Sequence, residues 1–292
     1  MAGENGFADL HVHSSHSDGS HSVEALLRMA HERSINAISI TDHDSIDAIP
    51  EAVELTSSGK YDVEVIPGVE ITSEYRGVEV HMLGYLIDHT SSELIDALTE
   101  MRRERMKRLF KIVARLNQLG IRITVEDVLS QAHGEAIGRP HVARALVQLG
   151  YAEDYLDAFQ RYLRDAAPAY VPRKRISCYD AIRLIHRAKG LAVLAHPCDL
   201  GNLELVCEVV KCGADGIEAF HPRLSKADSE RLVKLAANFG LIITGGTDFH
   251  SESNVSVRLG DIAVPYAYVL RLRERHSEFF SKRAFHLSSR FE

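Results

Sequence analysis

The segment Phe7-Ala8-Asp9-Leu10-His11-Val12-His13-Ser14 is where the fold and the site are both decided. Residues 7–12 are typical of a short strand, and side chains two positions apart on a strand point to the same face. His11 and His13 therefore project together and make half of a metal site. Asp18 comes next in a polar loop, near enough to fold back over the pair as an oxygen ligand. An HxH pattern is also found at the end of surface strands, so this interpretation depends on the rest of the chain.

The same pattern recurs six more times along the chain: a short apolar segment has a His, Asp or Glu at or near its end. Helical patterns separate most of these segments, which is typical of a parallel α/β sheet. In a (β/α) barrel the carboxyl ends of the strands converge on one face, so residues distant in sequence share one pocket. The residues that recur in phase with the strands are His43, Glu70, His81, His196, His221, Asp248 and His250.

Composition limits the class of protein. The chain has 292 residues, 45% of them hydrophobic and 26% charged, enough for one α/β barrel or two smaller domains. A formal net charge of −7 argues against a duplex DNA-binding protein, but a nucleotide or single-stranded RNA fits if positive charge is local. The sequence has neither a run of 18 apolar residues nor a signal peptide, which predicts a cytoplasmic protein without a membrane partner. The four cysteines form no CxxC pair, and we expect them to be reduced.

The strand pattern is interrupted once. Between residues 94 and 172 the sequence shows only helical patterns, including a long helix that begins at Met101 and ends at Gly120. We therefore expect three parts: residues 1–93 as the first part of a barrel, residues 94–172 as a helical insertion that forms a lid or wall over the active site, and residues 173–292 as the second part of the barrel.

The recurrent residues have the composition of a metal cluster. A catalytic ion usually keeps about three protein ligands and an open position, so this set could serve two or three ions. Imidazole and carboxylate ligands without thiolate suit manganese, iron or zinc better than magnesium or calcium, and Glu70 or Asp248 could bridge two ions. Such clusters activate water and clamp phosphoester oxygens. The candidate ligands are His11, His13, Asp18, His43, Glu70, His81, His196, Asp248 and His250.

In order, these residues resemble the motifs of the PHP (polymerase and histidinol phosphatase) family of amidohydrolase-like phosphoesterases. The motifs are HxH with Asp18, Thr41-Asp42-His43, Pro67-Gly68-x-Glu70, His81, His196-Pro197 and Asp248-x-His250. The resemblance implies a distorted (β/α)7 barrel with a trinuclear cluster, often of manganese. It implies one ion on His11, His13, Glu70 and Asp248, a second on Glu70, His81 and His196, and a third on Asp18, His43 and His250.

The helical insertion carries Gly138-Arg-Pro-His141, which resembles the PHP subfamily that hydrolyses 3',5'-nucleotide bisphosphates. Some members of that subfamily also trim short RNA from the 5' end. The implied reaction is removal of one phosphate, the 3' phosphate, by a metal-bound hydroxide. A second phosphate requires local cations, and arginine is suited to bidentate phosphate contacts. Our candidates for substrate binding are Arg139, Arg173, Lys174, Arg175 and His221, and His221 could also protonate the leaving oxygen.

Several alternatives stay open at this point. The same site could serve a 5'-3' exoribonuclease on short RNA, a histidinol phosphate type phosphatase or an amidohydrolase, although an amidohydrolase would leave the basic residues without a purpose. A metal-binding regulatory module would lack some ligands. Glu218 lies within its predicted strand as a structural residue or a partner of a ligand histidine. Among the remaining histidines, His141 is the first candidate for a role in the site.

Overall fold

The computed structural model describes residues 6–251, 257–262 and 264–288, in which ten strands form two sheets. The strands are β1 (Phe7–Val12), β2 (Ala37–Ile40), β3 (Glu64–Val65), β4 (Gly68–Tyr75), β5 (Val78–Tyr85), β6 (Ile176–Ser177), β7 (Leu191–Leu194), β8 (Gly216–Phe220), β9 (Ile242–Gly245) and β10 (Val264–Pro265). One sheet has the order β10-β1-β2-β3, and the other has the order β6-β4-β5-β7-β8-β9.

The helices lie mostly between the strands. They are α1 (Val23–Glu32), α2 (Ala48–Ser57), α3 (Ser92–Gln118), α4 (Val125–Leu129), α5 (Arg139–Gln148), α6 (Tyr155–Ala158), α7 (Cys178–Arg187), α8 (Leu203–Val210), α9 (Lys226–Phe239) and α10 (Ala267–Ser288). A π-helical turn, Phe159–Leu163, continues α6, and a 3-10 turn, Pro197–Leu200, comes after β7.

The two sheets are joined at two places. Single parallel bridges connect Val12 with Phe249, beyond β9, and His43, beyond β2, with Glu70 in β4. The strands β1, β2, β4, β5, β7, β8 and β9 therefore succeed one another around a ring, which is consistent with the expected seven-stranded barrel. The predicted α/β class is confirmed, and its core is continuous with the apolar faces of α1, α2, α7 and α9.

Serine side chains set where several helices begin. The hydroxyl of Ser22 accepts a hydrogen bond from the Ala25 amide at the start of α1, and Ser177 and Ser225 do the same for α7 and α9. Such caps satisfy an amide that the helix itself leaves without a partner, and each typically contributes about 1 kcal/mol. The helices that return the chain from one strand to the next are therefore specified locally.

Two sequence expectations about strands are wrong in detail. We expected Glu70 to come after a strand over residues 63–66, but that strand is only two residues long, and Glu70 lies inside β4 because the chain resumes pairing after Pro67. We also expected a parallel sheet, and most strand pairs are parallel, but β5 runs antiparallel to both β4 and β7. His81 reaches the site from the middle of β5, where it lies opposite Thr72 in the antiparallel pair that β4 and β5 form.

Residues 86–175, between β5 and β6, form helices joined by loops, as the sequence predicts. The long helix α3 begins at Ser92, nine residues before the expected start at Met101. Thr124 and Asp127 form the reciprocal hydrogen bonds of a capping box at α4. These helices surround a hydrophobic cluster of their own, which includes Leu116 and Leu146.

The four cysteines are free thiols, as expected.

Among the described residues, no helix has both the length and the apolar character needed to cross a membrane.

Candidate metal centre

Strand β1 delivers two imidazoles to one fully buried position. His11 and His13 have no exposed surface, and their ring centroids are 5.2 Å apart. Their Nε2 atoms lie 3.4 and 3.3 Å from the same oxygen, Oε2 of Glu70. The alternation of side chains along a strand places both rings on one face, as the sequence predicts.

Glu70 is the centre of the arrangement. Its Oε2 atom is 2.9 Å from Nδ1 of His43, and its Oε1 atom is 2.9 Å from Nδ1 of His81 and 3.0 Å from Nε2 of His196. One buried carboxylate therefore contacts imidazoles from β1, from the ends of β2 and β7, and from β5. Its two oxygens face different groups of histidines, which is the geometry of a bridging ligand.

The turn after β9 brings Asp248 and His250 against β1. The Asp248 amide donates a hydrogen bond to the His11 carbonyl at 2.8 Å, and Oδ1 of Asp248 lies 3.2 Å from Nε2 of His13. The approach requires glycine at position 246, because a Cβ atom there would be only 2.4 Å from the His11 amide nitrogen. Asp248 has φ of 51° and His196 has φ of 23°, and strained backbone of this kind is common where structure serves a site.

Asp18 lies in a loop that is fixed by hydrogen bonds. Its carboxylate lies 3.2 Å from Nε2 of His250 and 3.9 Å from Nε2 of His43. The loop is fixed by Asp42, which accepts hydrogen bonds from the hydroxyls of Ser14 and Ser17. Sequence reasoning quoted Asp42 within a motif but gave it no role, and the structure shows that it orders the Asp18 loop.

Helix α5 braces the same loop from the other side. Nε2 of the buried His141 donates a hydrogen bond to the Ser17 carbonyl at 3.1 Å, while Nδ1 accepts one from the Gly138 amide. The Arg144 guanidinium donates to the Asp18 carbonyl at 2.7 Å. His141 therefore supports the site through the backbone of the Asp18 loop, and the helical segment is in direct contact with the cluster.

The cluster has the donor set and the orphaned atoms expected of a metal site. The candidate ligands form three groups, and inside each group the ligand atoms lie within 4.8 Å of one another. The groups are His13, Asp18, His43 and His250; His11, His13 and Glu70; and His43, Glu70 and His81. Buried polar atoms are normally hydrogen-bonded. Here Nε2 of His11 and His13, Nδ1 of His43, and Oε2 of Glu70 are buried without hydrogen-bond partners. These atoms fit divalent cations that accept nitrogen and oxygen ligands.

The groups overlap with the ion assignments that the PHP resemblance implies, but they divide His13 and His43 differently. His13 lies close enough to join Asp18, His43 and His250, and His43 also joins Glu70 and His81. Neither His196 nor Asp248 falls in these three compact groups, although both contact Glu70 or His13. The assignment of each ligand to an ion therefore stays a prediction.

The candidate carboxylate ligands are held in their ionised form. Burial raises the pKa of Glu70, but the neighbouring His43 and His81 outweigh this effect and hold it well below its usual range. The pKa values of Asp18 and Asp248 are likewise held low, by His250 and by His11 respectively, against the effect of burial. Three ionised carboxylates in a buried site attract cations strongly because the local dielectric constant is low.

Two carboxylates outside the candidate set orient ligand histidines. Oε1 of Glu79 lies 3.2 Å from Nε2 of His81, and Oδ2 of Asp199 lies 2.9 Å from Nδ1 of His196. Burial lowers the pKa of His196, but its hydrogen bonds to Asp199 and Glu70 outweigh burial and raise it to about 10. Sequence reasoning missed both carboxylates. The position of Glu79, two residues before His81 on a strand, was the available signal for one of them.

Glu218 is buried and holds two parts of the cluster at once. Its Oε1 atom is 3.0 Å from Nδ1 of His11, and its Oε2 atom accepts a hydrogen bond from the His196 amide at 2.6 Å. Of the two roles considered from the sequence, the contact with a candidate ligand histidine is the one present. Partners of this kind fix the ring orientation of metal-binding histidines.

We expect Glu218→Gln to reduce activity by about 10- to 100-fold and to weaken metal affinity by a similar factor. The amide can still contact His196, but it cannot match the charge-assisted hydrogen bond to His11. Metal titration followed by activity measures the effect. Glu204→Gln, on α8, is the matched control and should leave both quantities unchanged. Wild-type metal affinity in the Glu218 variant would contradict the role.

The basic candidates for phosphate binding have different surroundings. The Arg139 guanidinium contacts the Leu163 carbonyl at 3.2 Å and Oδ1 of the exposed Asp165 at 3.1 Å. Arg175 forms an ion pair with Glu79, the partner of His81. Lys174 is exposed and lines a surface groove.

Arg173 is buried and paired rather than open. Its guanidinium contacts Oδ2 of Asp44, which also receives the Arg105 guanidinium at 2.7 Å. Burial raises the pKa of Asp44, but the two arginines outweigh this and hold it well below its usual range. Arg108 lies beside them, and its Nη2 atom is buried without a hydrogen-bond partner. Sequence reasoning missed Arg105 and Arg108, which stand four and seven residues after Met101 in α3.

His221 lies at the edge of the cluster. Its ring is almost fully buried, with Nε2 at 3.4 Å from Oδ2 of Asp248 and Nδ1 accepting a hydrogen bond from the Arg223 amide. The Arg223 guanidinium is half-exposed and contacts both Asp199 and Asp248. The end of β8 therefore places one imidazole and one cation beside a candidate ligand.

A family model described as the PHP domain matches residues 9–208. The chain belongs to the PHP family. A relative in Escherichia coli strain K12, the 5'-3' exoribonuclease Rnm, is 35% identical over 83% of this chain and 84% of its own length. The 3',5'-nucleoside bisphosphate phosphatase of Chromobacterium violaceum is 30% identical over 83% of this chain and 87% of its own.

The solved structures agree with the PHP assignment. A structure from Bifidobacterium adolescentis superposes with a TM-score of 0.84 at 31% identity, covering 92% of this chain and 96% of that one. The PHP family and its relatives support a phosphoric ester hydrolase. The clusters of His, Asp and Glu described above are able to bind the metals on which such an enzyme depends.

Proposed function

We propose that this PHP protein is a metal-dependent phosphatase that removes the 3' phosphate from 3',5'-nucleotide bisphosphates such as adenosine 3',5'-bisphosphate. The observation that carries the proposal is a group of three arginines near the candidate metal centre, Arg108, Arg139 and Arg173, which we call the arginine cluster. A substrate with two phosphates requires one of them at the metals and the other at a second cationic position. The name of the Chromobacterium violaceum relative supports the same substrate class.

The nine candidate ligands would hold the ions, with Glu70 as the bridge. When bound, two or three divalent ions, manganese in our proposal with iron or zinc as alternatives, polarise a phosphoryl oxygen and lower the pKa of water. Glu218 and Asp199 hold His11 and His196 in orientation. His221, beside Asp248, is placed to contact the reacting phosphate and to hold a proton for the leaving oxygen.

The arginine cluster would hold the other phosphate. Burial lowers the pKa of Arg108 to about 10, and the charges of Arg139 and Arg173 act in the same direction. Because Asp44 neutralises Arg173, Arg108 and Arg139 are the cations that would contact the phosphate. Arginines that repel one another in a partly buried place are stabilised by an anion. Arg175 links this position to the cluster through Glu79 and His81. Lys174, on the surface beside them, would contribute long-range attraction.

Residues 94–172 would act as a separate insertion domain that forms a wall of the site. They have their own hydrophobic cluster, and they contribute Arg105, Arg108 and Arg139. Residues 1–93 and 173–292 would together form the barrel that carries the metal ligands. A small nucleotide bound between the two parts would contact both.

The test is phosphate release from adenosine 3',5'-bisphosphate by manganese-loaded protein, compared with 5'-AMP and histidinol phosphate. We expect strong preference for the bisphosphate and loss of activity in His43→Ala. Activity on none of these substrates would return the amidohydrolase alternative to consideration.

We expect Arg139→Gln to raise KM for the bisphosphate by roughly tenfold or more, because a charge-assisted hydrogen bond contributes about 1.5–3 kcal/mol. Steady-state kinetics with the bisphosphate give the effect. The matched control is Arg183→Gln on α7, where an arginine also lies over an aromatic ring, that of Tyr179 at 5.6 Å. An unchanged KM in Arg139→Gln would remove this residue from the phosphate site.

A second candidate function is 5'-3' exonuclease activity on short RNA. The Escherichia coli and Haemophilus influenzae relatives named 5'-3' exoribonucleases are 35% and 33% identical to this chain. The same metal site would serve either ester, and the difference would lie in whether the wall leaves space for a chain. Release of mononucleotides from 5'-phosphorylated RNA, faster than phosphate release from the bisphosphate, would favour this activity.

A further inference from the structure

A row of alternating aromatic rings and guanidinium groups lies on the helical segment. In order, it consists of Tyr155, Phe159, Arg139, Tyr170 and Arg108, and we call it the aromatic–arginine row. The centroids of the first two rings are 4.9 Å apart. The Arg139 guanidinium is 5.8 Å from the Phe159 ring and 5.7 Å from the Tyr170 ring, and the Arg108 guanidinium is 5.7 Å from the Tyr170 ring.

The row is next to the helix that supports the Asp18 loop. Arg139 is the first residue of α5, and α6 and the π-helical turn, which carry Tyr155 and Phe159, pack against that helix. His141 and Arg144, on the same helix, donate hydrogen bonds to the carbonyls of Ser17 and Asp18. A molecule that lies on the row would thus lie beside the helix that supports the Asp18 loop.

The helical core does not explain the row. Phe159 is partly buried against that core, but Tyr155 is 46% exposed and is not among the residues that pack on it. The neighbouring Leu156 is also exposed. An exposed aromatic ring that lies outside the hydrophobic core, in contact with a second ring, is a common feature of ligand sites.

The cations of the row have capacity for a ligand. Nη2 of Arg108 is buried without a hydrogen-bond partner, although buried polar atoms normally have one. The Arg139 guanidinium pairs with Asp165, which is 79% exposed on its side chain, and such an exposed pair contributes little stability. An anionic ligand could displace Asp165 with little loss of stability and would satisfy Arg108.

We infer that the aromatic–arginine row is the nucleobase subsite of this enzyme, with the base stacked on Tyr155 and Phe159 and the arginines in contact with the sugar-phosphate backbone. Single-stranded nucleic acids are held in this way, by rings that accept any base and cations that track the phosphates. The inference rests on the proposed function because it assumes a nucleotide at the metals. A free nucleotide and the first nucleotide of an RNA present the same chemistry here.

The chain contains no tryptophan, so a single substitution creates a unique fluorescent reporter. Tyr155→Trp places it in the row. Tyr179→Trp is the matched control, because Tyr179 is 52% exposed and lies under Arg183, an aromatic–arginine pair of the same chemistry on α7. Each manganese-loaded variant is titrated with 5'-AMP and with ribose 5-phosphate, two ligands that differ only in the base.

We expect saturable quenching of Tyr155→Trp by 5'-AMP, little change with ribose 5-phosphate, and no saturable change in Tyr179→Trp. No quenching, or equal quenching by ribose 5-phosphate, would overturn the inference. Equal quenching of both variants would show non-specific collision and would also overturn it. A tighter midpoint for 5'-phosphorylated triadenylate than for 5'-AMP would assign the row to RNA, and equal midpoints would assign it to a single nucleotide.

Kinetics provide an independent test. We expect Tyr155→Ala to raise KM for the bisphosphate about tenfold with kcat within about twofold, and we expect Tyr155→Phe to restore KM, because stacking requires the ring and not the hydroxyl. A fall in kcat without a change in KM would indicate a merely structural role. The titrations with 5'-AMP require no turnover. The nucleobase subsite can therefore fail its test while phosphate release succeeds, and 5'-AMP can bind the row even if the enzyme releases no phosphate from the bisphosphate.

Discussion

Glu70→Gln should abolish hydrolysis, lowering kcat by roughly a thousandfold or more. The ions contribute several kcal/mol to phosphoester hydrolysis, and each 1.36 kcal/mol is a factor of ten in rate. The Glu70 carboxylate contacts five candidate imidazole ligands: His11, His13, His43, His81 and His196. The amide of glutamine has the same shape, but it has no charge and only one oxygen, so it cannot bridge two ions.

The metal content of the purified variant separates loss of ligands from other defects. Elemental analysis of Glu70→Gln should show fewer bound ions per chain than the wild-type protein, with the circular dichroism spectrum unchanged. Glu54→Gln, on the exposed face of α2, is the matched control and should retain both ions and activity. Full metal content together with high activity in Glu70→Gln would contradict the bridging assignment.

Asp44→Asn should lower the free energy of unfolding by about 3–5 kcal/mol, the usual effect of removing one partner from a buried ion pair. Asp44 has no exposed surface, its Oδ2 atom contacts both Arg105 and Arg173, and its Oδ1 atom accepts a hydrogen bond from the Thr72 amide. An asparagine would leave two buried guanidinium groups without a counter-charge. Urea unfolding measures the difference.

The pH dependence has its origin in the same contacts. The pKa of Asp44 in the folded protein lies below that of an aspartate in an unfolded chain, about 3.9. The carboxylate therefore contributes its full stabilisation above about pH 4, and this is lost only as the pH falls towards the folded pKa. The difference between wild type and Asp44→Asn should thus be constant from pH 6 to 8. Asp96→Asn, on the exposed side of α3, should have almost no effect. Equal stability of wild type and Asp44→Asn would show that the pairing is not structurally important.

The sequence predicts the ligand set because strands have a strict period. The HxH of β1 needs only alternation to put both rings on one face, and the later residues accompany short apolar segments that are recognisable by themselves. The local signals for helix starts, such as Ser22 and the Thr124–Asp127 box, were equally direct. The family motifs then added the order of the ligands, which local patterns cannot supply.

The partners of the ligands were harder to predict. Glu218 contacts His11 across 207 positions of the chain, and Asp44 meets Arg173 across 129. Nothing in the local sequence distinguishes these residues from other acidic residues in strands and loops. The antiparallel course of β5, which decides that His81 enters from a strand interior, depends likewise on pairing with β4 and β7.

The sequence by itself therefore determined the α/β class, the helical character of the segment between β5 and β6, and the residues that converge on one pocket, since periodicity and strand ends are properties of short segments. Only the tertiary structure decided that Glu70 stands at the centre, that Arg173 is neutralised by Asp44 while Arg108 is not, and that Tyr155 and Phe159 lie beside Arg139. Charge pairing and ring contacts depend on distances between segments, and these distances are set when the sheets and the helical segment pack together.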